Sequence, residues 1–225
     1  MIESPLNPPP LVADRVRALV FDLDGTLVDS YSAITESLNH ARAAFGLEDL
    51  PAAQVRLQVG RGLEALIEDL VGRDRVSEGV RLFRERYAEV YASMTDVLPG
   101  VASTLERLAA NGYPMTVASN KPARFGLAIA EALGLSSWLV SVHGPDTVGS
   151  TKPDPAMLRR CVEDMQAEAS STAYVGDMVL DVETAARAGV PVILVDGGSS
   201  TPTELRATGQ CCVTSLAGVL EVLGA

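Results

Sequence analysis

The stretch Arg17-Ala18-Leu19-Val20-Phe21-Asp22-Leu23-Asp24-Gly25-Thr26-Leu27-Val28-Asp29-Ser30 decides how the rest of the chain is read. Ala18 to Phe21 is a short apolar run that ends abruptly in carboxylates, the pattern of a strand covered on both faces in a parallel sheet. Asp22 and Asp24 follow with one apolar residue between them. In extended backbone, positions i and i+2 point to the same side, so both acids can face one crevice. Gly25-Thr26 permits a tight turn, and Asp29 or Ser30 can cap a following helix. Two acids crowded at a buried strand end repel unless a cation or a proton sits between them. The ordinary alternative is a polar strand end that merely caps a turn.

Outward from this stretch, the pattern changes twice. From Ser30 to about Thr95 the apolar residues fall at helical spacing: Ile34, Leu38, Ala41 and Phe45, then Leu63, Leu66, Ile67 and Leu70, then Val76, Val80, Phe83, Tyr87, Val90 and Met94. This predicts three or four amphipathic helices and no strand. After Pro99-Gly100, helices and strands alternate. Strands are expected at Tyr113–Ala118, Leu139–Val142, Ala173–Val175, Pro191–Val195 and Cys211–Val213. Alternation of this kind predicts an α/β fold with a doubly wound parallel sheet. The expected organisation is a loose proline-rich leader at 1–14, a core from 15–29 and 98–225, and a helical insert at 30–97.

In such sheets ligands bind beyond the carboxyl ends of the strands. Three further polar clusters stand at strand-to-helix turns. Ser119-Asn120-Lys121 follows Met115–Ala118, Lys152 lies in Lys152-Pro153-Asp154-Pro155 just before a helix, and Gly176-Asp177-Met178-Val179-Leu180-Asp181 follows Ala173–Val175. A carboxylate can attack phosphorus and carry the phosphoryl group, and a neighbour two residues on can act as acid and then base. An oxygen-seeking Mg²⁺ suits the acids Asp22 and Asp177, while a hydroxyl, backbone N–H groups and a lysine suit phosphoryl oxygens. Singly, each has a plain reading: Ser119 a helix cap, Lys152 surface charge, Asp177 a solvated turn and Asp181 a helix face.

Together the four clusters resemble the four signature motifs of the haloacid dehalogenase superfamily, and the insert resembles the α-helical cap of its phosphoglycolate phosphatase-like branch. That resemblance implies Asp22 as nucleophile and Asp24 as general acid and base. It also implies Mg²⁺ held by Asp22, Asp177 and the Asp24 backbone carbonyl, with Asp181 an outer or direct metal partner. Ser119, Asn120 and Lys152 would bind phosphate. The implied activity is a Mg²⁺-dependent phosphatase acting on a small phosphorylated metabolite through an aspartyl-phosphate, with phosphoglycolate suggested by Val59-Gly60-Arg61-Gly62-Leu63 and by Ser119–Pro122. Arg61, between two glycines ahead of a helix, is the candidate to grip a carboxylate on the substrate; its plain reading is a solvated loop residue.

Relatives separate by residue. Dehalogenases proper lack the second acid, which Asp24 supplies here, and a Schiff-base hydrolase needs a cap lysine, which residues 30–97 do not contain. A sugar-phosphate mutase of the β-phosphoglucomutase type keeps all four motifs and stays open. A phospho-accepting signalling module has no place for the insert or for the late acids.

Composition sets the outer bounds. The 225 residues are 47% hydrophobic, enough for a sizeable core, and the net charge of −11 with no basic cluster disfavours a nucleic-acid partner. Lysine occurs only at Lys121 and Lys152. Cys161, Cys211 and Cys212 form no CxxC pair, His40 and His143 stand isolated, and Asp196–Ser200 reads as a flexible turn. No basic-then-apolar leader and no apolar run of about 18 residues is present, so a cytoplasmic protein without membrane contact is expected. Oligomeric state is not encoded in any pattern here.

Overall fold

A computed structural model describes residues 7–225. In chain order the elements are β1 (Ala18–Phe21), β2 (Val28–Asp29), α1 (Tyr31–Ala44), α2 (Ala52–Arg56), α3 (Leu63–Leu70), α4 (Val76–Val90) and β3 (Asp96–Val97). Then follow α5 (Val101–Ala110), β4 (Met115–Ala118), α6 (Ala123–Ala132), β5 (Ser141–His143), α7 (Pro145–Val148) and α8 (Ala156–Asp164). The chain closes with β6 (Thr172–Gly176), α9 (Val179–Ala188), β7 (Val192–Val195), α10 (Pro202–Ala207), β8 (Cys211–Val213) and α11 (Ala217–Leu223).

Six strands form one parallel sheet in the order β5-β4-β1-β6-β7-β8. The four residues of β1 are all buried, and strand periodicity splits them between two cores. Leu19 and Phe21 pack with Leu105 and Leu108 of α5, Ile129 of α6 and Val219 of α11. Ala18 and Val20 pack on the other face with Met157 and Leu158 of α8, Val182 of α9 and Leu205 of α10. This is the doubly wound α/β sheet expected from the alternation. Because β1 lies between β4 and β6, the residues that follow these three strands meet at one edge.

Helices α1 to α4 bury a third cluster of their own, including Ile34, Leu38, Ile67, Phe83 and Tyr87. Phe83, Tyr87 and Tyr91 stack at centroid spacings of 5.5 and 6.1 Å, and Phe125 of α6 meets Tyr87 edge-on at 5.2 Å. Core and helical insert thus share an aromatic seam.

Two features depart from the sequence expectation. β2 and β3 pair antiparallel, Val28 opposite Val97, tying together the two ends of the insert. Strands of two residues are too short to show a period. Asp196–Ser200 is the expected turn, but a helix without a counterpart in the expectation follows it: Thr201 caps α10, accepting the Glu204 N–H while Glu204 reaches back to the Thr201 N–H. Thr201-Pro202-Thr203-Glu204 carries the sequence signature of a capping box with proline at the first helical position.

Residues 1–6 of the expected leader lie outside the described residues. Within 7–14, Pro8 is buried and Leu11 packs against the Leu19–Phe21 cluster, so this part is pinned to the core by apolar contact. No helix among the described residues is long and apolar enough to cross a membrane.

Candidate active site

Asp22 leaves β1 with its N–H bonded to the Val175 carbonyl of β6 at 2.8 Å, so its backbone is fixed by the sheet. One carboxylate oxygen accepts the Leu23 N–H at 2.7 Å, and the other lies 2.8 Å from the Lys152 ammonium. Lys152, on the loop before α8, is buried and also donates to Asp181 at 2.8 Å and to the Tyr174 hydroxyl at 3.0 Å. Tyr174 passes the chain on, donating to Asp181 at 2.9 Å. Burial alone would depress the Lys152 ammonium, but Asp181 and Asp22 hold it above the ordinary lysine range. Burial, against the pull of Lys152, pushes Asp22 up to about 6, with Asp181 and Asp24 adding to the rise.

Asp177, at the end of β6, completes the acid group. Ligand oxygens of Asp22, Asp177 and Asp181 all lie within 4.8 Å of one another, and all three residues are buried. Thr26 donates to one Asp177 oxygen at 3.1 Å, and the Ser199 N–H donates to the other at 2.6 Å. Such approach requires glycine nearby: a Cβ at Gly25, whose φ is +83°, would lie 2.7 Å from Asp177 Oδ2, and one at Gly198 would lie 1.8 Å from it. Burial, then Asp22 and Asp181, raises Asp177 well above the carboxylate range. Three buried carboxylates facing one ammonium form a site short of positive charge. An all-oxygen donor set with excess negative charge suits a hard divalent cation.

Asp24 stands beside this group. One oxygen accepts the Ser30 hydroxyl, and the other lies 3.2 Å from Lys121. Ser30 therefore serves Asp24 rather than the helix; Asp29 caps α1 instead, accepting the Tyr31 N–H at 3.2 Å. Lys121 also donates to the Tyr87 hydroxyl at 2.7 Å and lies 4.6 Å from the centre of that ring. Burial would lower Lys121, yet Asp24 and Tyr87 raise it. Lys121 lies within the Ser119–Pro122 motif, where no role is expected for it. Its signal was scarcity, since lysine occurs only twice in the chain.

Ser119 and Asn120 end β4 at the same edge. The Ser119 hydroxyl faces the Lys121 N–H at 3.3 Å. The Asn120 side chain is committed to bracing: its oxygen accepts the Lys152 N–H and its nitrogen donates to the Gly60 carbonyl in the insert, both at 2.7 Å. His143 lies apart from the acids, bonded to Asp164 at 2.7 Å and Thr147 at 3.2 Å.

The helical insert supplies the opposite wall. Ile34, Val59, Leu63, Leu66 and Phe83 close over Asp22, Asp24, Ser119 and Lys152, leaving a cavity of about 80 Å³. Arg56 of α2 donates to the Gly198 carbonyl at 3.0 Å and lies over the Tyr31 ring, while the Tyr31 hydroxyl meets Ser199 at 2.9 Å. The insert is thereby tied to the loop that binds Asp177. Arg61 does not join the site. Its side chain is 57% exposed and pairs with Asp69 of α3, because the loop turns it along the outside of that helix. Arg84 of α4 lines the cavity instead. It sits between Phe83 and Glu85 in an ordinary helical repeat, and nothing in its sequence neighbourhood marks it.

With this geometry in place, residues 19–195 match the family model of haloacid dehalogenase-like hydrolases. The chain belongs to that family. Among its relatives, a phosphoglycolate phosphatase of Rhodospirillum rubrum is 38% identical over 195 residues, covering 82% of this chain and 81% of its own. The plasmid phosphoglycolate phosphatase of Cupriavidus necator is 33% identical and covers 92% of this chain and 91% of its own. A solved haloacid dehalogenase-like hydrolase of Streptococcus pneumoniae superposes with a TM-score of 0.83 at 21% identity, over 92% of this chain and 98% of its own, a likeness of fold. In this hydrolase family setting, the four polar clusters and the apolar wall form the two sides of one cleft.

Proposed function

We propose that this hydrolase is a Mg²⁺-dependent phosphatase that acts on a small phosphorylated metabolite through an aspartyl-phosphate on Asp22, with phosphoglycolate as the leading substrate. The observation that carries the reading is the pairing of Asp22 with Lys152 at 2.8 Å, with Asp24 held separately by Ser30 and Lys121. One carboxylate is placed as nucleophile beside a fixed cation, and a second is placed to move protons. Several relatives named phosphoglycolate phosphatase support the substrate class.

In the first half-reaction a carboxylate oxygen of Asp22 attacks phosphorus. The bond from phosphorus to the leaving oxygen breaks, and protonated Asp24 gives that oxygen its proton, releasing the alcohol. In the second half, Asp24, now a carboxylate, takes a proton from water; the water oxygen bonds to phosphorus and the Asp22–phosphorus bond breaks. Inorganic phosphate leaves and Asp22 is regenerated. Lys152 offsets the charge of Asp22 and of the incoming phosphoryl oxygens, and Ser119 offers them a hydroxyl. Mg²⁺, when bound by Asp22, Asp177 and the Asp24 carbonyl, would supply further charge neutralisation between the nucleophile and the phosphoryl group. Asp181, already engaged by Lys152, Tyr174 and the Met178 N–H, serves this reading best as the brace that holds Lys152.

The insert at 30–97 acts in this reading as a cap on the core at 15–29 and 98–225, closing to exclude water during phosphoryl transfer. The test is phosphate release from a panel of phosphomonoesters, including phosphoglycolate and sugar phosphates, with Mg²⁺ and with a chelator. Release that requires the metal is expected. Isomerisation of a sugar phosphate without net phosphate release would replace the reading with a mutase.

A further inference from the structure

We propose that Arg84 is the specificity residue of the cap, binding a carboxylate carried by the substrate a few bonds from its phosphate. This rests on the phosphatase reading above and names the part of the substrate that the floor of the cleft does not touch.

Three observations carry it. The cap side chains that line the cavity are otherwise apolar: Ile34, Val59, Leu63, Leu66 and Phe83. Arg84 is the one charged group on that wall among the described residues. Its Nε is buried and has no hydrogen-bond partner, the only cationic nitrogen in that condition among the described residues. A charged N–H left unpaired away from water is costly, and native structures rarely retain one without a use. Finally, its guanidinium is tethered at one nitrogen. Glu64 of α3 accepts from Nη2 at 3.0 Å, and Glu64 is 61% exposed while Arg84 is 42% exposed. Glu64 therefore orients the group from the solvent side and leaves other N–H groups for a ligand.

An anion reaching this wall would meet apolar side chains on most sides, where an unpaired carboxylate would be strongly disfavoured. A guanidinium can offer a carboxylate two parallel N–H groups, so one residue both neutralises and orients it. An uncharged substrate of the same size gains nothing from Arg84. The cap then discriminates by a single contact, while the floor treats every phosphate alike.

The test compares phosphoglycolate with 2-hydroxyethyl phosphate, which replaces the carboxylate with a neutral alcohol. In Arg84→Met, which keeps the length and packing of the side chain, the ratio of kcat/KM for the two esters should fall roughly 10- to 100-fold, the worth of a hydrogen bond to a charged group. Most of the loss should appear in KM, and Arg84→Lys should recover part of it. Calorimetric titration of phosphoglycolate into Asp22→Asn, with and without Arg84→Met, reads the same contact without turnover and should show a similar loss of affinity. Equal losses on both esters, or unchanged affinity in the calorimeter, would overturn the assignment of Arg84 and leave the phosphatase reading standing. Failure of the wild-type protein to release phosphate from any ester would overturn the phosphatase reading, with the titration still deciding Arg84.

Discussion

The floor and the roof of the cleft are built from opposite materials. The floor buries Asp22 and Asp177 at strand ends, Asp181 in the first turn of α9 and Lys152 on the loop before α8, each held by at least two polar contacts. The roof is a wall of aliphatic and aromatic side chains on helices and the loop after α2, interrupted by one arginine. A floor of this kind gains its precision from neighbours that cannot move: Asp22 is pinned by a sheet hydrogen bond and Lys152 by three oxygens. The roof touches that floor through a few specific ties, Asn120 to Gly60, Lys121 to Tyr87 and Arg56 to Gly198. In the function proposed above, this contrast corresponds to chemistry in the core and choice of substrate in the insert.

The largest effect is expected at the nucleophile. Asp22→Asn should lower kcat by more than about 10⁴-fold, because the amide keeps the shape and loses the attacking oxygen. Circular dichroism and thermal unfolding should show the fold intact. Substantial turnover in a clean preparation would remove the covalent step from the mechanism.

Asp24→Ala comes next, with an expected loss of ~10²–10⁴-fold, the usual worth of a general acid–base group. Both half-reactions should slow in rapid-quench measurements. A change of less than about threefold, with chemistry rate-limiting, would contradict the assignment. Lys152→Ala should do comparable damage, and Lys152→Arg should restore little, since a planar guanidinium cannot occupy the pocket of a compact ammonium bonded to Asp22, Asp181 and Tyr174.

The ties between roof and floor should give a smaller effect. Arg56→Ala removes a hydrogen bond to Gly198 and the contact with the Tyr31 ring, loosening the loop that feeds Ser199 to Asp177. A loss of about tenfold in kcat/KM is expected, consistent with one charged hydrogen bond. The affinity for Mg²⁺, measured by titration, should weaken with it. Unaltered metal affinity would show that the roof does not organise the acid group.

The mildest effect should appear in stability against pH. Asp22 is raised from 3.8 to about 6 and Asp177 is raised well above 3.8, both chiefly by burial. Groups whose folded pKa is raised bind more protons folded than unfolded, so they favour folding at low pH and that contribution is lost as pH rises. Without divalent metal, melting temperature should therefore fall as pH rises from about 4 through about 6. Mg²⁺ at neutral pH should restore a few degrees by binding only the folded state. In Asp177→Asn both responses should shrink; a metal response of full size would place the cation elsewhere.

The floor is legible in the order of residues along the chain. Ala18–Phe21 reads as a strand because four apolar residues are followed by acids, and the strand Cys211–Val213 lies where its pattern places it. Asp22, Asp24, Ser119, Lys152, Asp177 and Asp181 were legible because parallel α/β topology brings strand ends to one edge, so a residue's place in the chain sets its place in space. The tertiary structure alone decided the roof. Arg61 looked poised between two glycines but turns out to Asp69, whereas Arg84, inside an unremarkable helix, lines the cavity. The two-residue ribbon Val28–Asp29 with Asp96–Val97 and the bracing role of Asn120 were likewise invisible. Helical periodicity says which side of a helix is apolar; which turn of it stands over the cleft depends on the packing of four helices on one another and on the core.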